Sequence, residues 1–183
     1  MKTNLATYNN DWYKPGSKIK ILLWWFFNAL ILQNKYNPFS GLKVFFLKIF
    51  GAKIGKGVVI KPSISVKYPW KLTIGDYTWI GENVWIDNLD QVTIGSHVCI
   101  SQGAMLLCGN HNYKKASFDL MVKPITLENG VWIGAKAIIS QGVICSEHAV
   151  LSVNSLANQN LEAFGIYQGV PAVKIRQRII DEA

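Results

Sequence analysis

The chain has 183 residues, half of them hydrophobic and 16% charged, which fits one domain with a short appendage and excludes a disordered chain. No apolar run reaches the roughly 18–20 residues that span a bilayer. Met1–Tyr13 is polar and no small-residue cleavage pattern follows the apolar stretch, which speaks against a signal peptide, and Cys99, Cys108 and Cys145 form neither a disulfide framework nor a zinc knuckle, so a cytoplasmic protein is expected. The net charge of +8 is lopsided: residues 1–53 hold eight lysines against Asp11 alone, giving +7, and the remainder is nearly balanced at +1. That basic segment is rich in Trp, Phe and Leu and has no arginine, which favours an anionic membrane surface or an acidic partner over nucleic acid.

In chain order, residues 1–50 read as a helical appendage. Ser17 is placed to cap a helix over Lys18–Gln33, and Ser40 to cap a second over Gly41–Phe50, with Gly51 as its stop. The first helix is apolar on nearly every side from Ile19 to Leu32. It must therefore pack on the rest of the protein, on a neighbouring subunit, or in a membrane interface, which makes residues 17–50 a candidate peripheral membrane contact.

Residues 51–160 carry an internal repeat. Ile54-Gly55, Ile74-Gly75 and Ile94-Gly95 recur every 20 residues, and within each block an aliphatic recurs every six: Ile54, Ile60, Val66; Ile74, Ile80, Ile86; Ile94, Ile100, Leu106. The register resumes at Leu127 and runs through Ile133, Ile139, Cys145 and Leu151. A helical period of 3.6 cannot generate this pattern. A parallel β-helix with three short strands per turn does so: each hexapeptide forms one side of a triangular coil, its aliphatic points inward, and glycine at the corner is expected to permit the torsions of the turn.

Two departures matter. Over 107–124 the register stops, and this excursion contains Gly109-Asn-His111-Asn-Tyr113; an irregular stretch of this length inside a regular coil points to function. Residues 161–183 read as a C-terminal cap, with Pro171 turning the chain out of the coil and Ala172–Asp181 expected as a short helix over the open solenoid end.

The repeat resembles the hexapeptide-repeat proteins, whose parallel β-helix is left-handed. Phe50-Gly-Ala-Lys-Ile-Gly-Lys-Gly-Val-Val-Ile-Lys-Pro-Ser63, Tyr68-Pro-Trp-Lys-Leu-Thr-Ile-Gly-Asp-Tyr77 and Leu23-Trp24-Trp25 resemble the colanic acid biosynthesis acetyltransferase family. More distantly, they resemble the galactoside, maltose and nodulation-factor O-acetyltransferases. The loop with Gly109-Asn-His111, followed by Val131-Trp132-Ile-Gly-Ala135, narrows the resemblance to acyltransferases of that group. It implies a homotrimer with active sites in the clefts between subunits, acetyl-CoA as donor and a saccharide hydroxyl as acceptor. Surface polysaccharide assembly is the expected setting. A lipid-linked saccharide acceptor would give the apolar helix a purpose at the inner face of the membrane.

Acetyl transfer from a thioester to an alcohol needs a base for the hydroxyl proton and a fixed alignment of donor and acceptor. His111 sits in the excursion, has the residue type suited to the base, and matches the family's catalytic histidine. His97 and His148 hold outward hexapeptide positions and read as surface residues. No Ser or Cys nucleophile is marked, so direct transfer is expected. Asn83, Asp87, Asn88 and Tyr113 are candidate acceptor contacts; Asp and Asn at a corner equally serve turn backbone. The galactoside enzymes' acceptor asparagine aligns with Gly81, which implies a different acceptor. By resemblance, Trp132 and Ala135 contact the pantetheine arm, Val153 and Gln159 follow it, and Arg176 meets the nucleotide phosphates, with Lys174 and Arg178 nearby. Where the family has Gly-Ala-Gly-Ser, this chain has Ser152-Val-Asn-Ser155, a change expected to narrow the donor channel. Two other readings remain: a non-catalytic β-helix scaffold, and a metalloenzyme resembling the γ-type carbonic anhydrases, whose three histidine ligands would require His97, His111 and His148 to converge. No metal is expected for the acetyltransferase.

Overall fold

Every inward position of the repeat, from Ile54 to Leu151, is buried in the computed structural model, which describes residues 2–181. Strands of two or three residues stack in parallel, coil on coil, in register: Ile54 lies against Ile74, and Ile74 against Ile94. Three faces result. The first holds Lys53–Ile54, Leu72–Ile74, Val92–Ile94, Ile125–Leu127 and Ile144–Cys145. The second holds Val59–Ile60, Trp79–Ile80, Cys99–Ile100, Trp132–Ile133, Val150–Leu151 and Gly165–Gly169, and the third Ser65–Val66, Trp85–Asp87, Met105–Leu107, Ile138–Ser140 and Leu156–Ala157. The chain thus forms a mostly β solenoid, and the six-residue period follows from one inward aliphatic per side. A second, smaller inward residue fills each corner: Val84, Val98, Ala104, Val131, Ala137 and Ala149 are all buried.

The corner glycines work differently from expectation. Those that follow the aliphatic keep negative φ; the left-handed conformation falls two or three residues further on. Gly57, Tyr77, His97, Gly130, His148 and Phe164 form such a column at the first-to-second corner, and Ser63, Asn83, Gly103, Lys136 and Asn154 at the second-to-third. From the second coil on, each is anchored to the coil before it, as His97 N–H is to the Asp76 carbonyl at 2.8 Å. The repeat glycines are needed for close approach instead: a Cβ on Gly75 would lie 2.5 Å from Ser96 N, and one on Gly134 2.5 Å from Val153 N. His97 stacks on Tyr77 and His148 on Phe164, so both histidines belong to an outward ring column.

The helical segment closes the first coil. Helix α1 (Lys18–Phe27) starts at Ser17, whose Oγ accepts from Lys20 N–H, and continues as a π-helical turn over Asn28–Leu32. Helix α2 spans Ser40–Ile49. Ser40 does not cap it; its hydroxyl donates to the Val58 carbonyl and accepts from Ile60 N–H. Trp24 Nε1 donates to the Val66 carbonyl at 2.8 Å, and Ile64 N–H to the Leu32 carbonyl. These bonds satisfy an open strand edge that would otherwise template aggregation. Trp24, Leu32, Leu47 and Phe50 are buried beneath the first coil.

At the other end, the expected helix over Ala172–Asp181 is a strand. Ala172–Gln177 pairs antiparallel with Gly165–Gly169 and extends the second face. The alternation of Val173 and Ile175 with Lys174 and Arg176 has period two, and hydrogen bonding to an existing edge decides in favour of strand. Arg178 then binds the carbonyls of Gly130 and His148, tying the end of the hairpin back to the coils. The excursion is also a hairpin, Gly109–His111 paired with Leu120–Val122, leaving the third-to-first corner.

Candidate active site

Two concavities hold the candidate residues, and they lie at different corners of the triangle. The larger, about 600 Å³, runs along the second face and its corner with the third. Trp132, Ala135, Val153 and Arg176 line it, with Ser152 and Arg178. Trp132 is held by its indole N–H, which donates to Ser101 Oγ at 3.0 Å, and its strand lies in register between Cys99 and Val150. Arg176 stands opposite Ile166 on the terminal hairpin, and its exposed guanidinium is free for an anion. The Ser152–Ser155 stretch leaves the groove open: Ser155 turns inward, accepting from Gly169 N–H, and Asn154 takes the left-handed corner position. Gln159 follows the third-face strand Leu156–Ala157 at the next corner and does not line this groove within one chain.

The second concavity, about 450 Å³, surrounds His111 at the third-to-first corner. Its walls are Leu120 of the same hairpin, Lys67, Tyr68 and Leu89 of the coils, and Tyr8, Asn10, Tyr13 and Pro15 of the N-terminal arm. The His111 ring stacks on Phe118, with centroids 4.5 Å apart and planes 8° from parallel, and Tyr8 approaches at 5.9 Å. His111 Nδ1 lies 2.9 Å from the Phe118 carbonyl oxygen. A carbonyl only accepts, so Nδ1 carries the proton and the neutral ring keeps its lone pair on Nε2. Sequence reasoning missed the arm, because nothing periodic marks it: Tyr13 donates to the Leu89 carbonyl at 2.6 Å, and Asn4 N–H to the Ala116 carbonyl. Burial pushes the Tyr13 phenol upward and the Lys71 ammonium beside it downward.

Of the acceptor candidates, only Asp87 lies near His111 within one chain. Its carboxylate pairs with Lys67 at 2.9 Å, and Lys67 lines both the His111 cleft and a neighbouring pocket that Asp87 shares with Trp24, Trp25 and Trp85. Asn88 is fully buried and spends its amide on backbone, accepting from Lys67 and Tyr68 N–H and donating to the Tyr68 and Lys71 carbonyls, so it has nothing left for a ligand. Asn83 is an exposed left-handed residue at the second-to-third corner, not at the His111 corner. Tyr113 points away from the cleft, into a small pocket with Lys114 and Lys115. Burial pushes the Cys108 and Cys145 thiols up to about 12, which leaves them protonated and unreactive. His97 and His148 share the first-to-second corner while His111 occupies another, so within one chain the three do not converge.

Comparison with known proteins places this architecture. The chain is 37% identical over 170 residues to the colanic acid biosynthesis acetyltransferase WcaF of Escherichia coli (strain K12), covering 93% of each protein. It is 27% identical over 134 residues to the galactoside O-acetyltransferase of the same organism, covering 72% of this chain and 66% of that one. Among solved structures, the hexapeptide-repeat acetyltransferase VCA0836 of Vibrio cholerae, complexed with acetyl coenzyme A, superposes with a TM-score of 0.82 at 22% identity over 96% of both chains. A galactoside acetyltransferase in complex with coenzyme A gives 0.77 at 24% identity, covering 87% of this chain and 80% of that one. No family model matches the chain.

Proposed function

Since the chain belongs to the colanic acid biosynthesis acetyltransferase family and is an acyltransferase, we propose that it moves acetyl from acetyl-CoA to a saccharide hydroxyl, with His111 as general base. The observation that carries the reading is the pinned imidazole: Nδ1–H is held by the Phe118 carbonyl and Nε2 is left basic in an open cleft. Nε2 takes the proton as the acceptor oxygen attacks the thioester carbonyl carbon. The C–S bond then breaks, the acetyl ester remains on the sugar, and the imidazolium returns its proton to the departing CoA sulfur.

In this reading the 600 Å³ groove takes the donor, with Trp132, Ala135 and Val153 along the pantetheine arm and Arg176 on the phosphates. The acceptor enters beside His111, where Lys67, Asp87, Tyr8 and Asn10 offer hydrogen-bonding groups suited to sugar hydroxyls. Donor groove and base sit at different corners of one chain, so a complete site needs a second copy. A homotrimer of left-handed solenoids side by side would bring the groove of one against the hairpin of the next. The outward surface formed by Trp79 and Cys99 on the second face with the Tyr77 and His97 rings at its corner supports such packing. Surface polysaccharide assembly in the cytoplasm, on a free or lipid-linked saccharide, is the proposed setting.

Titration calorimetry of acetyl-CoA into the protein tests this reading first. One saturable site per chain, weakened by Arg176→Ala, is expected. Failure to bind would leave the scaffold reading.

A further inference from the structure

The helices that close the first coil bury only one side. Their outward sides carry Ile19, Leu22, Leu23, Phe26 and Leu30 on α1 and its π-helical turn, and Phe39, Leu42, Phe45 and Ile49 at and along α2. Both sets follow helical spacing, so each forms a single stripe. The rings of Phe27 and Phe46 stack between the two helices at 4.9 Å, which sets the stripes side by side on one end of the molecule. With Tyr36 at its rim, this surface is between 40% (Leu42) and 81% (Tyr36) exposed, far more apolar area than a soluble surface carries without a purpose.

The charge on its own segment is of one sign. Lys18, Lys35 and Lys48 are exposed at the ends of the two helices, and residues 12–75 contain no Asp or Glu. None of the three lysines enters an ion pair among the described residues. A face-to-face contact with a second copy would set this lysine fringe against itself with no acid to neutralise it. Among the described residues no helix is long and apolar enough to cross a membrane, so the surface can lie on a bilayer and not span it. An apolar stripe with aromatic residues and a lysine rim is the chemistry of an interfacial helix on anionic lipid.

We propose that this helical end docks on an anionic phospholipid bilayer, with α1 and α2 lying in the interface. The proposal does not depend on the acetyl-transfer reading, because its test reads membrane partition alone.

The test is flotation of the full chain with vesicles of phosphatidylcholine containing phosphatidylglycerol, beside vesicles of phosphatidylcholine alone. Binding to the anionic vesicles that falls as salt is raised is expected. The pair Phe26→Ser with Phe45→Ser, and separately Lys35→Gln with Lys48→Gln, should each lower partition by about tenfold. All four side chains are exposed, so thermal melting should stay near that of the parent protein. No flotation, or equal partition of parent and variants, overturns the proposal. So does equal binding to neutral vesicles. Sedimentation equilibrium gives one more decision: a lower oligomer mass for the Phe26/Phe45 variant would show that a second copy covers the face, and would overturn the lipid assignment.

Discussion

Removing the imidazole at position 111 takes away a basic nitrogen that a backbone partner holds in its cleft. His111→Ala is expected to lower kcat by about 10²- to 10⁴-fold while leaving acetyl-CoA affinity unchanged, because the donor groove lies at another corner. Steady-state kinetics beside calorimetry separate the two effects. Lys43 makes a second single-residue test. It is fully buried under the helical cap, where Nζ donates to the Asn37 carbonyl at 2.6 Å, and burial lowers its pKa. Its folded pKa is below its unfolded one, so the folded state is penalised whenever the amine must stay charged. Stability therefore rises with pH between the two values. Lys43→Met is expected to be more stable than the parent at neutral pH by about 1–3 kcal/mol. That advantage should shrink as the pH approaches the ordinary lysine pKa of about 10.4, which melting curves across pH would follow. At this scale the sequence marked His111, because it falls in the stretch that interrupts the repeat. It could not tell Asn88 from Asp87. Adjacent corner residues point to opposite sides, and the three-residue turn Pro69–Lys71 in the coil below decides which is swallowed.

The elements show where a period is legible and where it is not. One inward aliphatic per six residues predicts the faces correctly from Ile54 to Leu151. The last segment has too few residues to separate a strand from a helix by pattern. Its fate is set by the free edge of Gly165–Gly169, a partner the sequence does not display. The hairpin 109–122 is likewise visible only as a gap in the register, yet it carries His111 and Leu120 into the cleft. Replacing it with a short turn is expected to keep the solenoid and acetyl-CoA binding but abolish acetyl transfer. Circular dichroism, calorimetry and an acetyl-transfer assay would check the three separately. The N-terminal arm left no mark in the sequence at all: its contacts, such as Tyr13 with Leu89, join positions more than seventy residues apart.

For the whole molecule, a site divided between corners as proposed would make assembly a requirement for chemistry. Trp79 stands outward on the second face beside Tyr77 and His97, where its loss would not disturb the buried stack. If the proposed trimer packs through this surface, Trp79→Glu reduces the sedimentation mass from three chains to one and removes activity with it, while each chain keeps its fold. An active monomer would show that a single chain holds a complete site.

The order of the coils also fixes a height. The helices underlie the first coil, and the His111 hairpin leaves the third, two strand spacings of about 4.8 Å further along the axis. Adding the thickness of a helix layer, about 10 Å, puts the root of the hairpin roughly 20 Å from whatever the helical end rests on, while the cleft reaches down to Lys67 and Tyr68 of the first coil. On a lipid surface the solenoid would act as a stand-off. A sugar joined directly to a headgroup would lie below the cleft, whereas one carried outward on a spacer would come level with Nε2. The number of coils beneath the hairpin would then help select the acceptor by the length of its tether, independently of the groups that recognise the sugar.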